Sequence, residues 1–151
     1  MFSSLAFCLL LNLLFAGLLT GLIWTVQVVH YPGFALVGTA ECQQYQLAHQ
    51  RRISYLVLPI MVLELVLAGW LLTYQFSFAP QVWLQWSAAG CVGLLWLTTG
   101  VIFAPLHSKL LREGYSPKIT HKLVRLNWMR TALWSLRSLL LLLLCALYVK
   151  R

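Results

Sequence analysis

Four apolar stretches dominate the pattern of hydrophobic and polar positions along the chain. They cover residues 5–29, 53–74, 82–104 and 128–148. Each is close to the roughly 20 residues of helix that cross the hydrocarbon core of a bilayer. A helix satisfies all its backbone hydrogen bonds internally, as the bilayer interior demands. The pattern therefore predicts an all-α fold, a four-helix transmembrane bundle formed by a single domain over residues 1–151.

Local signals extend the second and fourth helices beyond the bilayer at one end, predicted to be cytoplasmic. Thr39 fits the N-cap of helix 2, and polar residues lead from there into the second apolar stretch. Ser116 and Pro117 fit an N-cap and a first helical position. Helix 4 is then expected to run from Pro117 to Val149, a length of about 50 Å.

Proline and glycine give two further expectations. Pro32 and Pro105 are expected to end helices 1 and 3, because proline lacks an N–H and disfavours helix at the preceding residue. Gly17 and Gly21 lie one helical turn apart, a spacing of small residues that is typical of close helix packing in membranes.

The fourth stretch carries a polar stripe. At 100° per residue, Asn127, Arg130, Trp134 and Arg137 fall within an arc of roughly 80°. Ionisable side chains at membrane depth are costly and normally face a partner inside the bundle. Glu64 is the one carboxylate at comparable depth, about 16 Å into the second apolar stretch, counted from Ile53 at 1.5 Å per residue. We therefore expect Glu64 and Arg137 to approach each other closely.

The two halves of the chain match at an offset of 72 or 73 residues. The string GLIW at 21–24 lies over GLLW at 93–96. Further matched pairs are Pro32 with Pro105, His49 with His121, Arg52 with Arg125, and Glu64 with Arg137. Such a repeat predicts two helical hairpins related by a pseudo-twofold axis along the membrane normal. Chance similarity between short strings of common membrane residues is the alternative.

Composition and charge place the protein in the membrane. The chain is 61% hydrophobic and 9% charged, with a mean hydropathy of +0.81, far from the balance of a soluble domain. Two basic residues, Lys150 and Arg151, lie at the end that holds the termini. Eight lie at the opposite end: Arg51, Arg52, Lys109, Arg112, Lys118, Lys122, Arg125 and Arg130. The positive-inside rule places these eight in the cytoplasm and both termini outside.

The net charge of +8 also bears on partners. The basic residues lie at membrane edges rather than along a soluble face. This distribution favours anionic lipid headgroups over nucleic acid.

A polar intramembrane cavity open to the cytoplasm is the leading functional hypothesis. Its predicted lining residues are Gln27, His30, His49, Glu64, Asn127, Arg130, Trp134 and Arg137. Such a cavity would bind a small ligand or cofactor. One version is redox chemistry with haem or a quinone-like substrate, in which Arg130 and Arg137 would bind carboxylate groups. The alternative is a non-catalytic packing or assembly protein in which the Glu64–Arg137 pair fixes helix register. Its partner would be further copies of the same chain, in a homo-oligomer, or another membrane protein.

Histidines supply the weak metal candidates. His30, His49, His107 and His121 gather at the cytoplasmic end, and at least two are expected to point into the cavity. None forms an H-x-x-x-H or E-x-x-H pair, so capping of helix ends and contact with headgroups is the competing interpretation. No P-loop, dinucleotide fingerprint or H-E-x-x-H motif occurs, and whether the protein is an enzyme stays open.

Four strings resemble a known family. They are VQVVHYPGF at 26–34, HQRRI at 49–53, PLH at 105–107 and NWMRT at 127–131. Together they are similar to a family of small uncharacterised bacterial four-helix membrane proteins, over nearly the whole chain. The resemblance implies a bacterial inner-membrane location. It brings no catalytic residues with it.

Overall fold

The computed structural model describes residues 3–33, 37, 41–113 and 116–150, without the side chains of residues 42 and 113. Four long helices account for nearly all of them, and no strand occurs within these ranges. The helices are α1 (Ser4–Gly33), α2 (Cys42–Leu72), α3 (Ala79–Thr98, Thr99–Phe103 and Ala104–Glu113, in continuous succession) and α4 (Pro117–Val149). Each is long and apolar enough to cross a membrane. The predicted all-α, four-helix membrane fold is confirmed.

The helices form a closed ring in chain order. Each packs against its neighbour in sequence, and α4 packs against α1. The hydroxyls of Ser3 and Tyr148 lie 2.7 Å apart and join the two ends of the chain. At the opposite end, where α1 leads to α2 and α3 to α4, basic residues are exposed. We call this the basic end, with Arg51, Arg52, Lys109, Arg112, Lys118, Lys122 and Arg125.

The start of α4 agrees with the sequence prediction. Pro117 is the first residue of the helix, and the Ser116 hydroxyl accepts a hydrogen bond from the Ile119 amide at 3.5 Å. The predicted cap of α2, Thr39, lies outside the described residues. Glu41 immediately precedes α2 and makes no side-chain capping bond.

The first helix is described as far as Gly33, one residue after Pro32, and residues 34–36 lie outside the described residues. Pro105 does not end its helix, which continues to Glu113, so that expectation was wrong. The reason is a five-residue π-helical turn just before each proline, at Val26–His30 in α1 and Thr99–Phe103 in α3. The amides that follow bond five residues back rather than four. This wider turn re-registers the hydrogen-bond ladder immediately before the residue without an N–H, so the helix tolerates proline and continues.

The two π turns also bear on the internal repeat. They begin 73 residues apart, at Val26 and Thr99, the offset at which the sequences of the two halves match. The repeat relates α1 to α3 and α2 to α4, as a pseudo-twofold through the ring requires. The π turns thus share the offset of the two prolines that follow them, and they agree with the predicted pair of helical hairpins.

The glycines on α1 do not mediate close packing within the chain. No other atom lies within 4 Å of a Cβ built at Gly17 or Gly21. Both glycines lie on the outer side of α1 beside Leu14 and Leu18, which are 53% and 50% exposed. The expectation of close glycine packing was wrong for packing within the chain, because this side faces away from the bundle.

Candidate functional site

Arg137 joins all four helices at the centre of the bundle. Its Nε donates to Glu64 Oε1 on α2 at 2.8 Å. Nη1 donates to the Ala88 carbonyl on α3 at 2.8 Å, and Nη2 to Asn12 Oδ1 on α1 at 3.0 Å. The Arg137 and Glu64 side chains are 0% and 1% exposed. The predicted approach of Glu64 and Arg137 is confirmed, and we call this network the clamp.

The remaining groups of the clamp also have partners. Trp134 Nε1 donates to Glu64 Oε2 at 3.2 Å, so both carboxylate oxygens accept a bond. Asn12 Nδ2 donates to the Leu67 carbonyl at 2.9 Å, tying α1 to α2. A buried ion pair is tolerable when its polar atoms are satisfied in this way. The clamp is therefore chemically complete without a ligand.

Gln27 and Asn127, two of the predicted cavity residues, pair with each other instead. Asn127 Nδ2 donates to Gln27 Oε1 at 2.8 Å, and Gln27 Nε2 donates to the Val124 carbonyl at 3.4 Å. Both side chains are buried. This pair ties the π turn of α1 to α4.

A cavity of about 230 Å³ lies between the clamp and the basic end, with all four helices contributing to its wall. Three of the predicted residues line it: His49, Arg130 and Trp134. Glu64 and Arg137 belong to the clamp, and His30 lies in a separate surface groove that shares His49 with the cavity. The cavity wall consists of Leu22, Ile23, Val26, Tyr31, His49, Gln50, Ile53, Ser54, Val57, Leu58, Met61, Thr99, Phe103, Ala104, His107, Arg130 and Trp134.

Both π turns border this cavity, through Val26 on α1 and through Thr99 and Phe103 on α3. Single π turns within α-helices are frequently found at functional sites, because they shift the direction of the side chains that follow. The two π turns thus lie at an internal space that all four helices share.

Arg130 is the cation in the cavity wall. Its Cζ lies 4.7 Å from the centre of the Phe103 ring and 5.0 Å from the Trp134 ring. Its Nε is buried and has no hydrogen-bond partner in the part of the chain that the structure describes, and no described carboxylate pairs with it. Aromatic faces stabilise a cation but accept none of its hydrogen bonds as a carboxylate would. An anion in the cavity would supply what Arg130 lacks.

The 73-residue offset pairs Arg130 with an apolar residue. Glu64 is offset by 73 residues from Arg137, and the residue with the same offset from Arg130 is Val57. Val57 also lines the cavity. Where the clamp has a carboxylate across the axis, the cavity layer has an apolar side chain.

The four histidines divide into three settings. His49 and His107 line the cavity. The His30 ring stacks on His49 at 3.9 Å between centroids, from the neighbouring groove. His121 lies in another surface groove beside Lys118, Lys122 and Arg125. Within residues 3–33, 37, 41–113 and 116–150, no group of three or more His, Cys, Asp or Glu could hold a metal ion.

A polar layer separates the cavity from the basic end. Tyr31, His49, Gln50 and His107 line both the cavity and a smaller void of about 20 Å³ beyond them. The smaller void has room for about one water molecule. Direct access from the basic end is therefore narrow.

The cavity wall combines an arginine with two imidazoles and a phenol, and Gln50, Ser54 and Thr99 are further polar residues in a mainly apolar lining. Such a wall is suited to binding an anion, with charge-assisted hydrogen bonds from the arginine. Sequence reasoning missed Asn12, whose position as a lone amide in the first apolar stretch was the available signal. It also missed Tyr31 and Phe103.

No protein-family model, curated protein or solved structure matches the chain.

Proposed function

We propose that this multi-pass membrane protein binds a small anionic ligand in the cavity around Arg130. The single observation that carries the proposal is an arginine in the wall of a cavity of about 230 Å³ whose buried Nε has no described hydrogen-bond partner and which pairs with no described carboxylate. An isolated buried charge is costly, and proteins normally compensate it with a partner. Arg137, on the same helix, has such a partner in Glu64.

Cavity size restricts the class of ligand. At about 30 Å³ per molecule, a volume of about 230 Å³ corresponds to about eight waters. Sites that enclose drug-sized ligands begin at about 300 Å³. A small carboxylate or phosphate group fits better than a fully enclosed haem, so the haem-linked redox version has less support than simple anion binding.

The proposal includes a location. The distribution of Lys and Arg favours a basic end in the cytoplasm and both termini outside. The family resemblance favours a bacterial inner membrane. In this orientation the cavity lies in the cytoplasmic half of the bilayer, and the basic end contacts anionic headgroups.

A packing or assembly role is the second candidate, and the clamp favours it. The clamp joins four helices without needing a ligand. The two candidates involve different residues, since the clamp depends on Arg137 and ligand binding on Arg130. They can therefore be tested separately.

The test of ligand binding is thermal stabilisation of the purified protein by added anions. Butyrate and inorganic phosphate are titrated at constant ionic strength against the wild type, Arg130→Gln and Arg125→Gln. Arg125 is an exposed arginine of the same helix and serves as the matched control. We expect at least one anion to raise the melting temperature of the wild type and Arg125→Gln but not of Arg130→Gln, because only the folded cavity binds it. If neither anion acts on the wild type and no small anion co-purifies with it, the packing role replaces this proposal.

A further inference from the structure

We infer that the ligand is a single-chain amphiphile with an anionic head, which reaches Arg130 sideways from the bilayer through an opening between α2 and α3. This inference rests on the proposed function and specifies its ligand class. The argument uses the rim of the cavity, the position of Arg130 on the opposite wall, and the volume between them.

The cavity has an exposed rim on two adjacent helices. Leu58 on α2 lines the cavity and is 47% exposed. Ala104 on α3 also lines the cavity and is exposed. A residue that both borders the internal space and lies on the outer surface marks a gap in the wall. In the membrane these outer surfaces face lipid rather than water.

Helical geometry assigns this gap to the interface of α2 with α3. At 100° per residue, Gln43, Gln50, Ser54 and Leu58 share a side of α2 about 80° wide. Gln43 identifies the neighbour on that side, because its Nε2 donates to the Leu111 carbonyl on α3 at 3.3 Å. The opposite side of α2 faces α1, where His49 stacks on His30.

Arg130 lies across the cavity from this rim. It projects from α4, which is the neighbour of α1 and α3 in the ring rather than of α2. Val57 and Met61 on α2 and Phe103 on α3 provide apolar surface in the cavity wall. A molecule that enters between α2 and α3 thus passes apolar side chains before its head meets the guanidinium.

Volume and access both favour an amphiphile over a free inorganic anion. A route from the basic end would pass the polar layer and a void of about 20 Å³, whereas the rim opens directly onto the lipid-facing surface. The cavity holds about eight water volumes, enough for a head and the first few methylenes. The rest of the chain would leave through the opening and stay among lipid tails.

The binding test uses radiolabelled decanoate and the protein in phosphatidylcholine nanodiscs, with protein-free nanodiscs subtracted. We expect saturable binding that Arg130→Gln weakens by about tenfold or more, as expected for loss of a charge-assisted contact. Arg130→Lys should restore much of the affinity. Arg125→Gln should leave it unchanged, because Arg125 is exposed at the basic end.

Narrowing the rim tests the route. Ala104→Trp should weaken decanoate binding severalfold while sparing butyrate, which leaves no chain in the opening. Leu63→Trp is the matched control, since Leu63 is 48% exposed on another side of α2. It should leave both ligands unaffected.

The failure of this inference can be distinguished from that of the proposed function. If butyrate binds in an Arg130-dependent way and decanoate binds no better, or if Ala104→Trp leaves decanoate binding intact, the amphiphile and its lateral route are wrong while anion binding stands. If neither carboxylate nor phosphate binds, both proposals are wrong, whereas binding of phosphate alone overturns only this inference. An equal loss in Arg125→Gln and Arg130→Gln would mean attraction to surface charge and would also overturn the inference.

Discussion

Arg130 and Arg137 lie seven residues apart on α4, on the same side of the helix, yet their guanidinium groups lie in different environments. Arg137 donates to Glu64 at 2.8 Å and to two further helices. Arg130 faces Phe103, Trp134 and a cavity. Trp134 contacts both environments, because its Nε1 donates to Glu64 and its ring lies under Arg130. One stripe of polar residues thus contributes to both the clamp and the cavity wall.

The clamp predicts strong coupling between its two charges. Glu64→Gln and Arg137→Met should each destabilise the protein by about 3 to 5 kcal/mol, because each leaves an unpaired group in the interior. The double variant should lose much less than the two single losses combined. Denaturant or thermal unfolding in detergent measures all three. Additive losses would show that the two residues do not act as a pair.

Asn12 should matter for stability and not for ligand binding. Asn12→Leu removes the acceptor for Arg137 Nη2 and the donor to the Leu67 carbonyl. Leaving buried polar groups without partners costs about 1 to 3 kcal/mol. The variant should melt earlier yet respond to anions as the wild type does. Leu10→Ala, at a position of α1 that is 50% exposed, is the control. A normal melting temperature for Asn12→Leu would contradict the role of Asn12 in the clamp.

Topology can be tested with single cysteines in a background without the native ones. Ala79→Cys lies at the start of α3, at the end away from the basic residues, and Lys118→Cys lies at the start of α4 at the basic end. A membrane-impermeant thiol reagent added to intact cells should label the first and not the second, as the positive-inside rule requires. The reverse pattern would invert the orientation and leave the four-helix fold untouched.

The sequence was sufficient to predict the fold and the Glu64–Arg137 pair. Four apolar stretches determine the number of helices, and a single carboxylate at membrane depth leaves Arg137 little choice of partner. The continuation of α3 past Pro105 could not be predicted, because it depends on a π turn that local propensity does not encode.

The cavity was predicted only in part for a related reason. Asn127 and Arg130 share one stripe, but which of them meets another side chain depends on how α1 and α3 rotate after their π turns. Gln27, inside the first π turn, bonds Asn127 and takes it out of the cavity. Tyr31 and Phe103 enter the cavity wall at the ends of the two turns. Backbone acceptors such as the Ala88 carbonyl cannot be predicted from residue type, because every residue has a backbone carbonyl.

The most direct test of the central claim gives Arg130 an internal partner. Val57 lines the cavity and is related to Arg130 by the same 73-residue offset that relates Glu64 to Arg137. Val57→Glu would place a carboxylate in the same relation to Arg130 as Glu64 has to Arg137. Val57→Gln is the uncharged control of equal size. Melting temperature is measured with and without saturating butyrate; binding at 100 times the dissociation constant stabilises by about 2.7 kcal/mol. We predict a butyrate-induced rise in the wild type and Val57→Gln and none in Val57→Glu, because its own carboxylate neutralises Arg130. An undiminished rise in Val57→Glu would show that butyrate binds elsewhere and would contradict the assignment of Arg130 as the ligand-binding cation.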